Sequence, residues 1–184
     1  MRIIAGAFKG RKLLTPESDA IRPTSDRTRE SVFNLLMHGN YAGEAILGQH
    51  VVDVCCGTGA LGLEALSRGA RIATFIDQDK KSLELAKKNA LHCGTMNAAF
   101  FVQADAAKMP AAKEPASLVL LDPPYATPLL APAYAALQRG GWLRPGTLLV
   151  SEQQRGTPIP MLDGAELVDE RQYGKAHIVI YRVG

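Results

Sequence analysis

VVDVCCGTGALG, residues 51–62, decides the fold. An apolar run broken only by Asp53 leads into a glycine-rich turn, and the turn into a helix-forming stretch. A strand buried on both faces reads as such a continuous run, and a tight turn from strand to helix is how a parallel sheet begins its crossover. Outward from it, strand and helix alternate. Residues 60–68 read as a helix, 71–76 as a strand and 80–92 as an amphipathic helix. Strands are expected at 99–103, 117–121 and 147–151, with a helix at 130–138. Residues 167–173 and 176–181, joined at Gly174, read as an antiparallel pair. Upstream, 26–38 suits a helix, with Ser25 a cap and Val32, Leu35 and Leu36 on its apolar face. Residues 2–6 and 11–15 suit a hairpin of two short strands. The expectation is one α/β domain over 1–184, with a basic hairpin extension at 1–20 and a core at 21–184.

Composition is that of a globular protein, with 47% hydrophobic and 21% charged residues. No apolar run is long enough to span a bilayer and the first residues lack a signal-peptide core, so residence in the cytoplasm without membrane attachment is expected. Cys55, Cys56 and Cys93 suit neither a disulfide framework nor a zinc site, and His38, His50, His92 and His177 lack metal-ligand spacing; no metal is expected. The net charge of +3 is unevenly placed. Residues 1–30 hold seven Lys and Arg against four acids, and the remainder carries fourteen of each. A basic arm on a neutral body suits phosphate binding, although a solvated hairpin would have the same composition.

Gly57 and Gly59 let the backbone approach a ligand, and Gly62 permits close helix–sheet packing. Alone, these glycines fit a dinucleotide as well as S-adenosylmethionine. Asp53 discriminates. A carboxylate ending the first strand would repel a pyrophosphate but suits the ammonium of a methionine moiety. Asp77, ending the second strand, can accept ribose hydroxyls. Asp105, with Ala106 beside it, follows the third strand and can accept an adenine amino group. The plain alternative is that each acid only caps the next helix.

LVLLDPPY, residues 118–125, ends a fourth strand in an acid, two prolines and an aromatic. Prolines have fixed φ and no N–H, so the carbonyls there are rigidly aimed. The exocyclic amine of a base is a weak nucleophile because its lone pair is delocalised into the ring. Acceptors at its hydrogens, here the Asp122 carboxylate and the Pro123 carbonyl, draw the nitrogen towards tetrahedral geometry. Pro124 stiffens the turn, and Tyr125 can stack on a base swung out of its own stack.

DPPY resembles the motif of methyltransferases that act on exocyclic amines of adenine, cytosine or guanine. The chain as a whole is similar to the class I methyltransferase fold: a seven-stranded, mostly parallel, Rossmann-like sheet with an antiparallel C-terminal strand and helices on both faces. More narrowly it resembles the bacterial 16S ribosomal RNA guanine-N2 methyltransferases of the RsmD type. MRIIAG at 1–6, GRKL at 10–13, RPTSDRTRESVFN at 22–34, GALGLEALSRG at 59–69, DPPY and the QYG turn at 172–174 carry that resemblance. It departs in VCCGTG at 54–59, in Asp rather than Glu at 77, and in lacking Gly-Lys after Tyr125. The resemblance implies S-adenosylmethionine as cofactor, and 16S ribosomal RNA within an assembled or assembling small subunit as partner. It also implies a loop around Arg22, Thr24, Arg27 and Arg29 folding over the cofactor edge. Arg2, Lys9, Arg11, Lys12 and Arg22 are the expected RNA contacts, and a small enzyme docking on a large particle can work as a monomer. The alternatives are a DNA adenine-N6 methyltransferase, for which the chain leaves no room for a domain that reads duplex sequence, a non-catalytic module on the same fold, and a nicotinamide oxidoreductase.

Overall fold

The structure is a computed structural model and describes residues 1–16, 26–38, 41, 43–124 and 128–184. In chain order the elements are α1 (Asp26–Met37), β1 (His50–Val54), α2 (Ala60–Ser67), β2 (Ile72–Asp77), α3 (Lys80–Cys93), β3 (Ala99–Gln103), β4 (Leu118–Leu121), α4 (Leu130–Arg139), β5 (Leu148–Gln154), β6 (Ala165–Tyr173) and β7 (Ala176–Val183). The strands form one seven-stranded sheet in the order β3-β2-β1-β4-β5-β7-β6. Strands β1 to β5 run parallel, and β7 is inserted antiparallel between β5 and β6. This is the expected architecture, with ends shifted by a few residues at most, as helix and strand ends commonly are.

Burial explains the central strands. Every residue of β1 and β4 is buried, as suits central parallel strands that are apolar but for His50 and Asp53. On one face, α1 packs on Val51, Leu118, Leu120 and Val150, while α2 and α3 pack on Ala73 and Phe75. On the other, α4 and Trp142 pack on Val52, Val54, Val119 and Leu149. Trp142 is thus a core residue, its indole N–H donating to the Pro110 carbonyl at 2.7 Å. The outer strand β6 is largely exposed and carries Glu166, Asp169, Glu170 and Arg171. Charges along an edge discourage pairing with another chain.

The N-terminal segment differs from expectation. It contains no strands, only a single antiparallel bridge between Arg2 and Lys12 around a turn. The amides of Ile3, Gly10 and Leu13 bond within the segment, but the body claims others. Ile4 and Ala5 donate to the Glu64 carboxylate at 2.8 and 3.1 Å, Phe8 donates to the Ser67 hydroxyl at 2.9 Å, and Leu14 donates to Asn89 at 2.8 Å. Amides drawn to the body in this way leave the ladder at one bridge. Gly6, at φ +81, fits where a Cβ would lie 1.8 Å from the Ser67 carbonyl oxygen.

Candidate active site

The strand order reverses direction between β1 and β4, where open α/β sheets bind ligands beyond the strand C-termini. A cleft of about 1010 Å³ opens there. Asp53, Gly57, Asp77, Asp105, Ala106, Asp122, Pro123 and Pro124 all line it. Local chemistry positions them. Gly62 starts α2 against the sheet, where a Cβ would lie 2.4 Å from Phe75 Cε1. Gly59 has φ +76 and backs onto Phe75 and Ala86, so it shapes the turn from behind. Gly57 stands at the cleft with no atom within 4 Å of where its Cβ would be. Cys55, at φ +59, is the one non-glycine residue with positive φ among the described residues, and it marks how sharply the chain turns out of β1.

Asp53 is buried at 1% exposure. Its Oδ2 accepts the Gly62 amide at 2.8 Å, while Oδ1 is buried without a hydrogen-bond partner. Burial first, with Asp122 and Asp77 adding repulsion against the help of the Gly62 amide, pushes its carboxyl well above the usual carboxylate range. A buried acceptor left without a partner is costly, and a cationic or N–H ligand group seated there would satisfy it. Asp77 differs in being half-buried, its oxygens accepting the Gly57 amide at 3.0 Å and the Asp79 amide at 2.9 Å. It braces the turn and keeps lone pairs for a ligand. Asp105 accepts the Ala107 amide at 2.9 Å and likewise caps its own turn. The capping roles are therefore real for both, beside any ligand role.

Asp122 is half-buried at the end of β4, its amide donating to the Val54 carbonyl at 3.4 Å. Pro123 is buried and Pro124 exposed. Tyr125 and Arg22 lie outside the described residues. Burial, followed by the surrounding acids, pushes the Cys55 thiol up to about 12, so it stays protonated and is no nucleophile.

Several cleft residues escaped the reading of the sequence as site residues. Glu152 follows the apolar part of β5, and Tyr173 and Lys175 come from the tip of the β6–β7 hairpin. Arg29, expected only as part of a covering loop, is wholly buried on α1; its Nη2 donates to Asp26 and to the Arg2 carbonyl. The signal for Glu152 was an acid at a strand's C-terminal edge, as at Asp53, Asp77 and Asp122. The four expected RNA contacts in the described arm, Arg2, Lys9, Arg11 and Lys12, lie outside the cleft on the exposed surface. Among the described residues no cluster of His, Cys, Asp or Glu could hold a metal ion, and no helix is long and apolar enough to cross a membrane.

Sheet order, antiparallel insertion and cleft define a class I methyltransferase fold. An RNA methyltransferase from Salinibacter ruber, solved in complex with S-adenosyl-L-homocysteine, has this fold at a TM-score of 0.67 and 17% identity, covering 88% of this chain and 94% of its own. The chain belongs to the family described as conserved hypothetical protein 95, the RsmD family, which matches residues 1–182. The ribosomal RNA small subunit methyltransferase D of Haemophilus influenzae is 36% identical over 187 residues, covering 100% of this chain and 92% of its own. The structure of yhhF from Escherichia coli superposes with a TM-score of 0.82 at 32% identity, covering 100% of this chain and 97% of its own.

Proposed function

We propose that this protein methylates the exocyclic N2 amino group of a guanine in 16S ribosomal RNA of the small subunit, using S-adenosylmethionine. The observation that carries the reading is the buried Asp53 Oδ1, without a partner, at the same sheet edge as Asp122-Pro-Pro. The residues fit the cofactor. Asp53 would take its ammonium, Asp77 its ribose hydroxyls, and Asp105 with Ala106 its adenine. Acids crowd the cleft, and their field favours a cationic ligand. Bound there, S-adenosylmethionine supplies a methyl group on a sulfonium with a thioether as leaving group.

The protein's own part is to make a poor nucleophile competent. The Asp122 carboxylate and Pro123 carbonyl accept the amino hydrogens, so the nitrogen lone pair turns out of the base plane towards the methyl carbon. Once the nitrogen had taken the methyl group, the Asp122 carboxylate would pass the surplus amino proton to solvent. Work on small-subunit ribosomal RNA agrees with the name of the Haemophilus relative. The basic arm would hold RNA phosphates outside the acidic cleft, which would repel them.

The test is transfer of label from S-adenosylmethionine to small subunits purified from cells lacking the enzyme. Wild-type protein should label the 16S RNA, and heat-inactivated protein should not. Absence of label with wild-type protein that binds the cofactor overturns the reading.

A further inference from the structure

An acceptor at the amino group does not by itself choose a base. Guanine carries, in order along one edge, the N2 amino donor, an N1–H donor and the O6 acceptor. Adenine and cytosine place a ring acceptor beside the amino group instead. A site that reads a swung-out base does so by matching this edge.

Leu121 and Ser151 are register partners, so Asp122, just past the end of β4, and Glu152, within β5, follow side by side. Alternation along the strands puts them on the face of Leu120 and Val150, where α1 packs. A recess on that face is bounded by Arg29, Leu120, Asp122, Val150 and Glu152, and the first, third and fifth of these also line the main cleft. Arg29 is at 0% exposure, yet its Nε and Nη1 have no hydrogen-bond partner. Nε stands 3.9 Å from the Glu64 carboxylate, too far for a hydrogen bond. Beside two carboxylates the cleft wall thus holds buried N–H donors with nothing to donate to.

We infer that Glu152 and Arg29 select guanine: Glu152 accepts N1–H and Arg29 donates to O6, while Asp122 holds the N2 amino group. The inference rests on the guanine-N2 reading above. Adenine or cytosine would bring a ring nitrogen lone pair against the Glu152 carboxylate, and that repulsion excludes them as much as the matched contacts favour guanine.

The test replaces the methylated guanosine by 2-aminopurine riboside in reconstituted small subunits. This base keeps the N2 amino group, lacks O6 and has an acceptor at N1. Wild-type protein should prefer guanine in kcat/KM by at least roughly 100-fold, as sites built to hydrogen-bond a group reject its absence. Glu152→Gln offers an amide N–H to the 2-aminopurine N1, so the preference should shrink by about tenfold or more. Arg29→Lys should shrink it too, through the lost O6 contact. A partly unfolded variant loses both rates alike and keeps the ratio, so a structural role cannot imitate the result. Wild-type methylation of guanine N2 with an unchanged ratio in both variants overturns the selection and leaves the function standing. If wild-type protein methylates some other atom of the RNA, the function reading fails first.

Discussion

The cleft and the N-terminal arm carry opposite charge and are built in opposite ways. In the cleft the charged groups are the buried structure: Asp53 is at 1% exposure, and Asp77 and Asp105 accept amides that shape their own turns. In the arm the charged groups are not what holds it. Its main chain is held by side chains of the body, Glu64, Ser67, Asn89 and Arg29. The cations remain outside. Arg2 lies 3.8 Å from Asp26, and Arg11 donates to the His92 carbonyl beside the Phe8 ring. Lys9 and Lys12 are exposed and make no ion pair among the described residues. The comparison teaches that charge in the cleft is committed to a fixed geometry, whereas the arm's charge is available to a partner of changeable shape.

The sharpest way to break this contrast is at Asp122. Asp122→Ala should lower single-turnover methyl transfer by more than about 100-fold, a loss comparable to removing a polar group aimed at the reacting atom. S-adenosylmethionine affinity, read by calorimetry, should stay within about twofold, because Asp122 serves the base. Equal losses in both would merge the two halves of the cleft into one.

Next comes Glu64, where arm and body meet. Its buried carboxylate accepts two arm amides and the Arg68 Nε at 2.7 Å. Glu64→Ala leaves Arg68 without its hydrogen-bonded partner and Arg29 without the countercharge 3.9 Å away, and should cost about 3–5 kcal/mol in urea unfolding. Proteolysis should also cut within residues 1–16 sooner. Wild-type stability would mean that the arm holds itself.

Asp53 yields two opposed effects. Its raised carboxyl pKa means the folded protein keeps a proton that the unfolded chain loses, so stability falls as pH rises from the ordinary carboxylate range through the raised value. Asp53→Asn should therefore raise the Tm of the ligand-free protein at neutral pH, since the amide still accepts from Gly62. The same change should weaken cofactor binding by about 1–3 kcal/mol. Binding to wild-type protein should release a proton, visible as a heat that varies with the ionisation enthalpy of the buffer. A lowered Tm in the variant would show that the carboxylate is satisfied without ligand.

The smallest effect belongs to the arm's cations. Lys9→Ala with Lys12→Ala should weaken binding of small-subunit RNA and flatten its salt dependence by a slope of about one per residue. Arg11→Ala with Lys12→Ala should act likewise, less any part of Arg11 kept on His92. The methylated nucleoside should not change.

These contrasts also mark what was legible in the sequence. Asp53, Asp77, Asp105 and Asp122 could be read because each lies at or just past the C-terminal end of its strand, and strand and turn are local patterns. The sheet could be read because β4 is an unbroken apolar run and β1 one interrupted only by Asp53 after its first residue. Tyr173 and Lys175 could not, since their presence at the cleft depends on β7 inserting between β5 and β6, whereas Glu152 offered the same local signal and was passed over. Two strands at the N-terminus were expected from alternation, which says nothing of side chains 59 to 75 positions away that claim the amides. Arg29 was expected only in a loop over the cofactor edge, and the packing of α1 against α2 and the arm is what buries it.

The most direct test of the central claim is the identity of the product nucleoside. Small subunits from cells lacking the enzyme, incubated with wild-type protein and labelled S-adenosylmethionine, are digested to nucleosides and separated. The account predicts all the label in N2-methylguanosine. Label in N6-methyladenosine or N4-methylcytidine would contradict it.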